Sequence, residues 1–136
     1  MVRLIMGPKG EGKTKQLVTL MYEAAETSSG CMVCIESSRN LSFNLRHQTR
    51  MVDAAEYQLT SYEALRGFIS GLYAGNYDIS HIFVDNLRKI VKDESIPELE
   101  GFLTWLDKFT ATRDMKCILT LSGDPSDATD VMRKFL

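Results

Sequence analysis

The stretch Gly7-Pro8-Lys9-Gly10-Glu11-Gly12-Lys13-Thr14 lies between an apolar run, Arg3 to Met6, and a segment carrying Leu17, Leu20, Met21 and Ala24 at i, i+3, i+4 and i+7. That order predicts a short strand, a glycine-rich turn and an amphipathic helix. Glycines at positions 7, 10 and 12 let the backbone curl so that successive N–H groups point inward. Together with the N-terminus of the following helix they form a nest of the size of a phosphate. The spacing is a full match to G-x-x-x-x-G-K-[ST], the phosphate-binding or Walker A loop, in the strand–turn–helix setting that gives the pattern its meaning. Lys13 then reaches the β and γ phosphates as a point charge, and the Thr14 hydroxyl ligates a bridging Mg2+. All eight residues, Pro8, Lys9 and Glu11 included, form the candidate nucleotide-binding segment, with the Lys9 and Glu11 side chains expected to face solvent.

Outward from this loop, hydrophobic periodicity alternates between strand and helix. Cys31-Met32-Val33-Cys34-Ile35 is a continuous apolar run of the kind buried on both faces of a parallel sheet. From Glu36 to Asp53 the composition turns polar, with Arg39, Arg46, His47 and Arg50 in a segment that reads as a loop or weak helix. Thr60-Ser61-Tyr62-Glu63 supplies a capping box before the stripe Leu65, Phe68, Ile69 and Leu72. His81 to Asp85 reads as a strand, Ser95-Ile96-Pro97-Glu98 opens a helix, and Lys116 to Ser122 is a further strand before a short helix from about Ser126. Right-handed crossovers make such strands parallel and place helices on both faces. The expected fold is α/β, a three-layer P-loop NTPase arrangement with a mostly parallel central sheet, in a single nucleotide-binding domain spanning 1–136.

Composition bounds the function classes. The chain has 136 residues, 44% hydrophobic and 25% charged, with a formal net charge of -2. That length suffices for one core without metal or disulfide staples. A mean hydropathy of -0.13 leaves no run near the ~20 apolar residues of a membrane span. The opening Met1 to Met6 is too short for a signal peptide, and a cytoplasmic location is expected. Interspersed charges of both signs argue against a nucleic-acid partner held by bulk charge. Three cysteines form no disulfide framework. Cys31 and Cys34 make a C-x-x-C, but strand residues i and i+3 point to opposite faces, so they are expected to be structural rather than a metal or redox site.

Asp85 is the second candidate for chemistry. A carboxylate at the C-terminal end of an apolar strand is where this class of site holds Mg2+, so Thr14 and Asp85 form the expected metal pair. Asn86 follows, where many ATPases place a glutamate that polarises water. Glu36, at the end of the second strand, is the candidate replacement, with a solvated loop-start carboxylate as the alternative reading. Thr120 and Ser122 close the last strand, and Ser122, the better placed of the two, is the candidate sensor of the γ phosphate, with a hydroxyl that merely caps Gly123-Asp124 as its alternative. The basic residues Arg39, Arg46, Arg50, Arg88, Lys89 and Lys92 follow the C-terminal ends of strands, and one of them is the candidate arginine finger across a subunit interface, against the default of a solvated surface.

The glycine-proline opening of the loop, its GKT ending and Glu36 after the second strand together resemble the RecA-like branch of P-loop ATPases. The match is close over Arg3 to Glu36, moderate over His81 to Asp85, and elsewhere confined to element order. The resemblance implies ATP and Mg2+ as ligands, hydrolysis of the β-γ bond with Lys13 and Glu36 as catalytic groups, and a homo-oligomer or larger protein partner. The thymidine kinase family is similar in its early strand and helix order. It differs in the glutamate after the aspartate and in a zinc-bearing lobe, for which no cysteine quartet exists here. A nucleoside kinase and a non-hydrolysing nucleotide-binding regulatory module are therefore the alternatives.

Overall fold

The computed structural model describes residues 1–10, 12–37 and 49–136; Glu11 and residues 38–48, with the calls on Arg39, Arg46 and His47, lie outside the described residues. Among the described residues, five strands form one all-parallel sheet: β1 (Val2–Gly7), β2 (Cys31–Glu36), β3 (Thr49–Asp53), β4 (Ile79–Asp85) and β5 (Lys116–Ser122). Their spatial order is β1-β5-β4-β2-β3. The principal helices are α1 (Lys13–Thr27), α2 (Tyr62–Gly75) and α4 (Ile96–Ala111), with single turns at α3 (Leu87–Ile90) and α5 (Asp130–Arg133).

Handedness explains the layers. The chain moves one way across the sheet from β1 to β2, then back from β3 to β4 and from β4 to β5. Right-handed crossovers taken in opposite directions put their helices on opposite faces. Accordingly Leu17, Met21 and Ala24 of α1 pack on Met32, Cys34 and Phe83. Leu65 and Ile69 of α2, with Leu99, Phe102, Leu103 and Leu106 of α4, pack on Val33, Ile35, Ile82, Val84 and Leu119. The alternation of Cys34 to one face and Val33 and Ile35 to the other is the period-2 pattern of a strand buried on both sides.

Several local expectations are met, and others shift. Ser95 caps α4, its Oγ accepting from Glu98 N at 3.4 Å, with proline in the first turn. The cap of α2 is Ser61, accepting from Ala64 N at 3.0 Å, one residue later than the Thr60–Glu63 capping box implies. The polar stretch before Asp53, expected as a loop or weak helix, ends in the strand β3. Only Met51 and Val52 in it are strongly apolar. As an edge strand it pairs with β2 alone, so Arg50 can stay exposed while Thr49 and Val52 are buried. The close of the chain is a 3-10 turn at Pro125–Asp127 followed by α5, not one continuous helix.

The C-x-x-C pair behaves as the strand geometry requires, with Cys31 exposed and Cys34 buried. Burial, reinforced by the nearby carboxylates of Glu36 and Asp85, pushes the Cys34 thiol well above its ordinary range. Burial likewise pushes Cys117 up to about 12. Since the thiolate is the reactive form, Cys31 is expected to be the one thiol alkylated in the native protein near neutral pH, and all three in denaturant. Mass spectrometry after a short maleimide pulse checks this, and rapid native labelling of Cys34 would contradict the burial.

Candidate functional site

The loop after β1 turns on two left-handed glycines, Gly10 at φ 87° and Gly12 at φ 80°. A Cβ at either position would be strained by that backbone conformation whatever space surrounds it. Gly12 stands at the N-cap of α1 and no side chain caps the helix there. The first-turn N–H groups are thus left to a ligand. The Lys13 ammonium folds back over the loop and donates to the Pro8 carbonyl at 2.8 Å. Gly123 N donates to Gly7 O at 3.0 Å, which ties the start of the loop to the turn after β5.

Asp85 ends β4, separated from β1 by the intervening β5. Its carboxylate accepts from Thr14 Oγ1, at 3.1 Å to Oδ1 and 3.2 Å to Oδ2. From the other side Thr120 Oγ1 of β5 donates to Oδ1 at 2.9 Å, and the same hydroxyl accepts from Asn86 N at 2.7 Å. Thr120 is only 1% exposed. Asp85 and Thr14 therefore meet as the sequence predicts. The residue that clamps Asp85 is Thr120, which sequence reasoning set behind Ser122. A hydroxyl two positions before the strand's end was the available signal, because it shares the face of Ser122.

A cavity of about 340 Å³ opens above this bridge. Lys9, Gly10, Gly12, Lys13 and Thr14 form one wall. Asn86, Lys89, Thr120 and Ser122 form the other, so Ser122 faces the loop. The charged residues lining it are all lysines. Thr14 lines the cavity and its hydroxyl meets the Asp85 carboxylate, a pair of hard oxygens of the donor type that Mg2+ selects. Among the described residues no group of three His, Cys, Asp or Glu side chains is placed to hold a metal. The pair thus suits an ion that takes its remaining ligands from phosphate and water.

Glu36 lies beside this site. Its Cα pairs in register with Asp85 on one side and Asp53 on the other, so three carboxylates end neighbouring strands on one face of the sheet. It is 3% exposed. The cavity it lines is a separate one of about 360 Å³, shared with Arg50, Asp53 and Tyr57. Of the basic residues, Arg88 is tied internally, its Nε donating to Ser122 O at 2.9 Å, whereas Lys89 lines the P-loop cavity. His81, at the far end of β4, is held below its ordinary pKa by burial and by Lys116, away from the loop.

No family model and no curated protein matches the chain. Solved structures do. A KaiC-like protein of the hyperthermophilic archaeon Pyrococcus horikoshii OT3 superposes with a TM-score of 0.67 at 14% identity, covering 98% of this chain and 68% of that one. The flagellar accessory protein FlaH of Methanocaldococcus jannaschii superposes with a TM-score of 0.57 at 16% identity, covering 98% and 65%. This chain therefore spans about two thirds of the length of each. The fold is the one these structures share, an α/β arrangement with an all-parallel sheet in which the loop strand and the aspartate strand flank one inserted strand.

Replacing Thr120 by Val removes the hydroxyl from both hydrogen bonds and leaves Asn86 N–H without its partner, while Asp85 Oδ1 keeps only Thr14 Oγ1. A buried polar group left unsatisfied costs about 1–3 kcal/mol. Thr120→Val is expected to lower unfolding stability by that amount in urea titration, and Thr120→Ser by less than half as much. Equal stability of all three proteins would dissolve the role assigned to the bridge.

Proposed function

We propose that the chain is a Mg2+-dependent ATPase that binds the triphosphate in the P-loop cavity and hydrolyses the β-γ bond. The reading is carried by the convergence of a left-handed glycine nest, Lys13 and the Thr14–Asp85 pair on one cavity at the carboxyl ends of the strands. Ligands of open parallel sheets bind at that end. ATP is preferred over GTP because the guanine-reading N-K-x-D pattern is absent from the sequence. No described helix is long and apolar enough to cross a membrane. We place the chain in the cytoplasm, as one nucleotide-binding domain over 1–136 that works as a homo-oligomer or on a larger protein partner.

In this mechanism the loop N–H groups and Lys13 bind the β and γ phosphates. Lys13 first exchanges the exposed Pro8 carbonyl for phosphate oxygens, whose negative charge attracts the ammonium more strongly than a neutral carbonyl does. Thr14 and Asp85 would hold the Mg2+ ion, which when bound would neutralise charge on the transferred group. Glu36, one strand over from Asp85, orients a water and accepts its hydrogen bond as the oxygen attacks the γ phosphorus. The bond from phosphorus to the β-γ bridging oxygen breaks, ADP leaves, and the water's proton ends on inorganic phosphate. Ser122 contacts the γ phosphate from β5.

A nucleotide-binding module without turnover is the second reading. It is favoured by Asn86 in the position next to Asp85, and by the opening of Glu36 into a different cavity from the loop. Calorimetry and phosphate release at saturating Mg-ATP separate the two. The parent is expected to bind Mg-ATP, and Lys13→Ala to bind it at least about tenfold more weakly. Glu36→Gln is expected to keep binding and lose about a hundredfold in phosphate release, the lower range for a general base. Binding without release by the parent selects the module, and no binding by the parent removes both readings.

A further inference from the structure

We propose that Lys89 is an internal cationic finger that contacts the γ phosphate and makes the site discriminate nucleoside triphosphates from diphosphates. The inference rests on the nucleotide-binding reading above and adds a charged contact to the third phosphate beside that of Ser122.

The peptide around Lys89 is held on every side. Asn86, directly after Asp85, is in the left-handed region at φ 66°, a conformation that a non-glycine residue adopts at a cost. Its N–H is bound to Thr120 Oγ1, and its carbonyl accepts from Lys89 N at 2.9 Å and Ile90 N at 3.2 Å. Leu87 and Ile90, on either side of Lys89, are buried in the core at 0% and 3% exposure. Arg88 Nε holds the same turn to Ser122 O. The reversal at Asn86 thus sends α3 back across the end of β5 and sets the Cα of Lys89 rigidly at the cavity wall opposite the P-loop.

The side chain differs from its backbone in this respect. Lys89 is exposed, and no hydrogen bond or ion pair engages its ammonium among the described residues. Its neighbour Arg88 is already committed to a carbonyl, so α3 offers one unengaged cation to the cavity, and that cation is Lys89. Across the cavity stand Lys9 and Lys13. The loop N–H nest cradles the α and β phosphates of either nucleotide, and Lys13 reaches on to the β and γ phosphates. A third lysine on the wall beyond Thr14 and Asp85 meets a charge there only when a further phosphate projects from the nest. A fixed backbone with a free ammonium is therefore arranged to respond to the terminal phosphate of the chain's own ligand. Such an arrangement needs no residue from a second subunit.

The test is the affinity of fluorescent ATP and ADP analogues, with Mg2+, for the parent, Lys89→Ala, Lys89→Arg and Lys13→Ala. Lys89→Ala is expected to weaken ATP binding by about tenfold while changing ADP binding by less than about twofold, so the preference for ATP falls. Lys89→Arg is expected to restore most of the preference. Thermal stability of Lys89→Ala should match the parent, since the side chain is exposed. Equal loss of both nucleotides, or no loss of either, overturns the inference while leaving the P-loop assignment intact if Lys13→Ala still weakens binding. Failure of the parent to bind either analogue overturns the inference together with the reading beneath it.

Discussion

The site is built on one polar bridge: Thr14 on the helix after the loop, Asp85 at the end of β4, and Thr120 inside β5, joined through a single carboxylate and passed on to Asn86 N. Three segments distant in sequence are brought to one point by it. A carboxylate in this position would repel its acidic neighbours Glu36 and Asp53 along the strand ends, and the two hydroxyls each donate to it. The hydroxyl of Thr14 is the one that would exchange its carboxylate bond for a metal. Thr120, buried beneath, would keep Asp85 oriented while that happens.

The sheet order gives this bridge its geometry. With β5 inserted between β1 and β4, the loop and the aspartate stand two strand spacings apart, and the residue between them comes from β5. Strands in a sheet lie about 4.8 Å apart, so the axes of β1 and β4 stand roughly 10 Å apart, and Thr14, at the start of α1, spans that separation to meet Asp85 at 3.1 Å. The parallel core is what holds that spacing: Phe83, Met32 and Cys34 pack under α1 on one face, and Val84, Ile35 and Leu119 under α2 and α4 on the other.

Much of this was legible before any coordinates. The loop, its lysine and threonine, Asp85 as the end of an apolar strand, the three long helices and the parallel α/β architecture all follow from local spacing and periodicity. The exceptions share a cause. β3 escaped notice because an edge strand with one partner shows little apolar patterning, and α3 because a four-residue turn has no period to read. Thr120 looked secondary to Ser122 because a hydroxyl in a strand interior gains meaning only from the carboxylate on the next strand. Lys89 was one of six basic residues that the sequence could not rank, since their distinction lies in what each side chain meets across the sheet.

The sequence by itself determined that a phosphate-sized nest would form, because a glycine pattern acts on the φ and ψ of its own few residues. It also determined that strands would be buried on both faces, because an uninterrupted apolar run cannot be left in water. The tertiary structure alone decided which strand lies between loop and aspartate, which hydroxyl clamps that aspartate, and which lysine is left free at the cavity wall. Those choices depend on hydrogen bonds and packing between residues 34 to 71 positions apart, whose energies are settled only when the chain has closed around them.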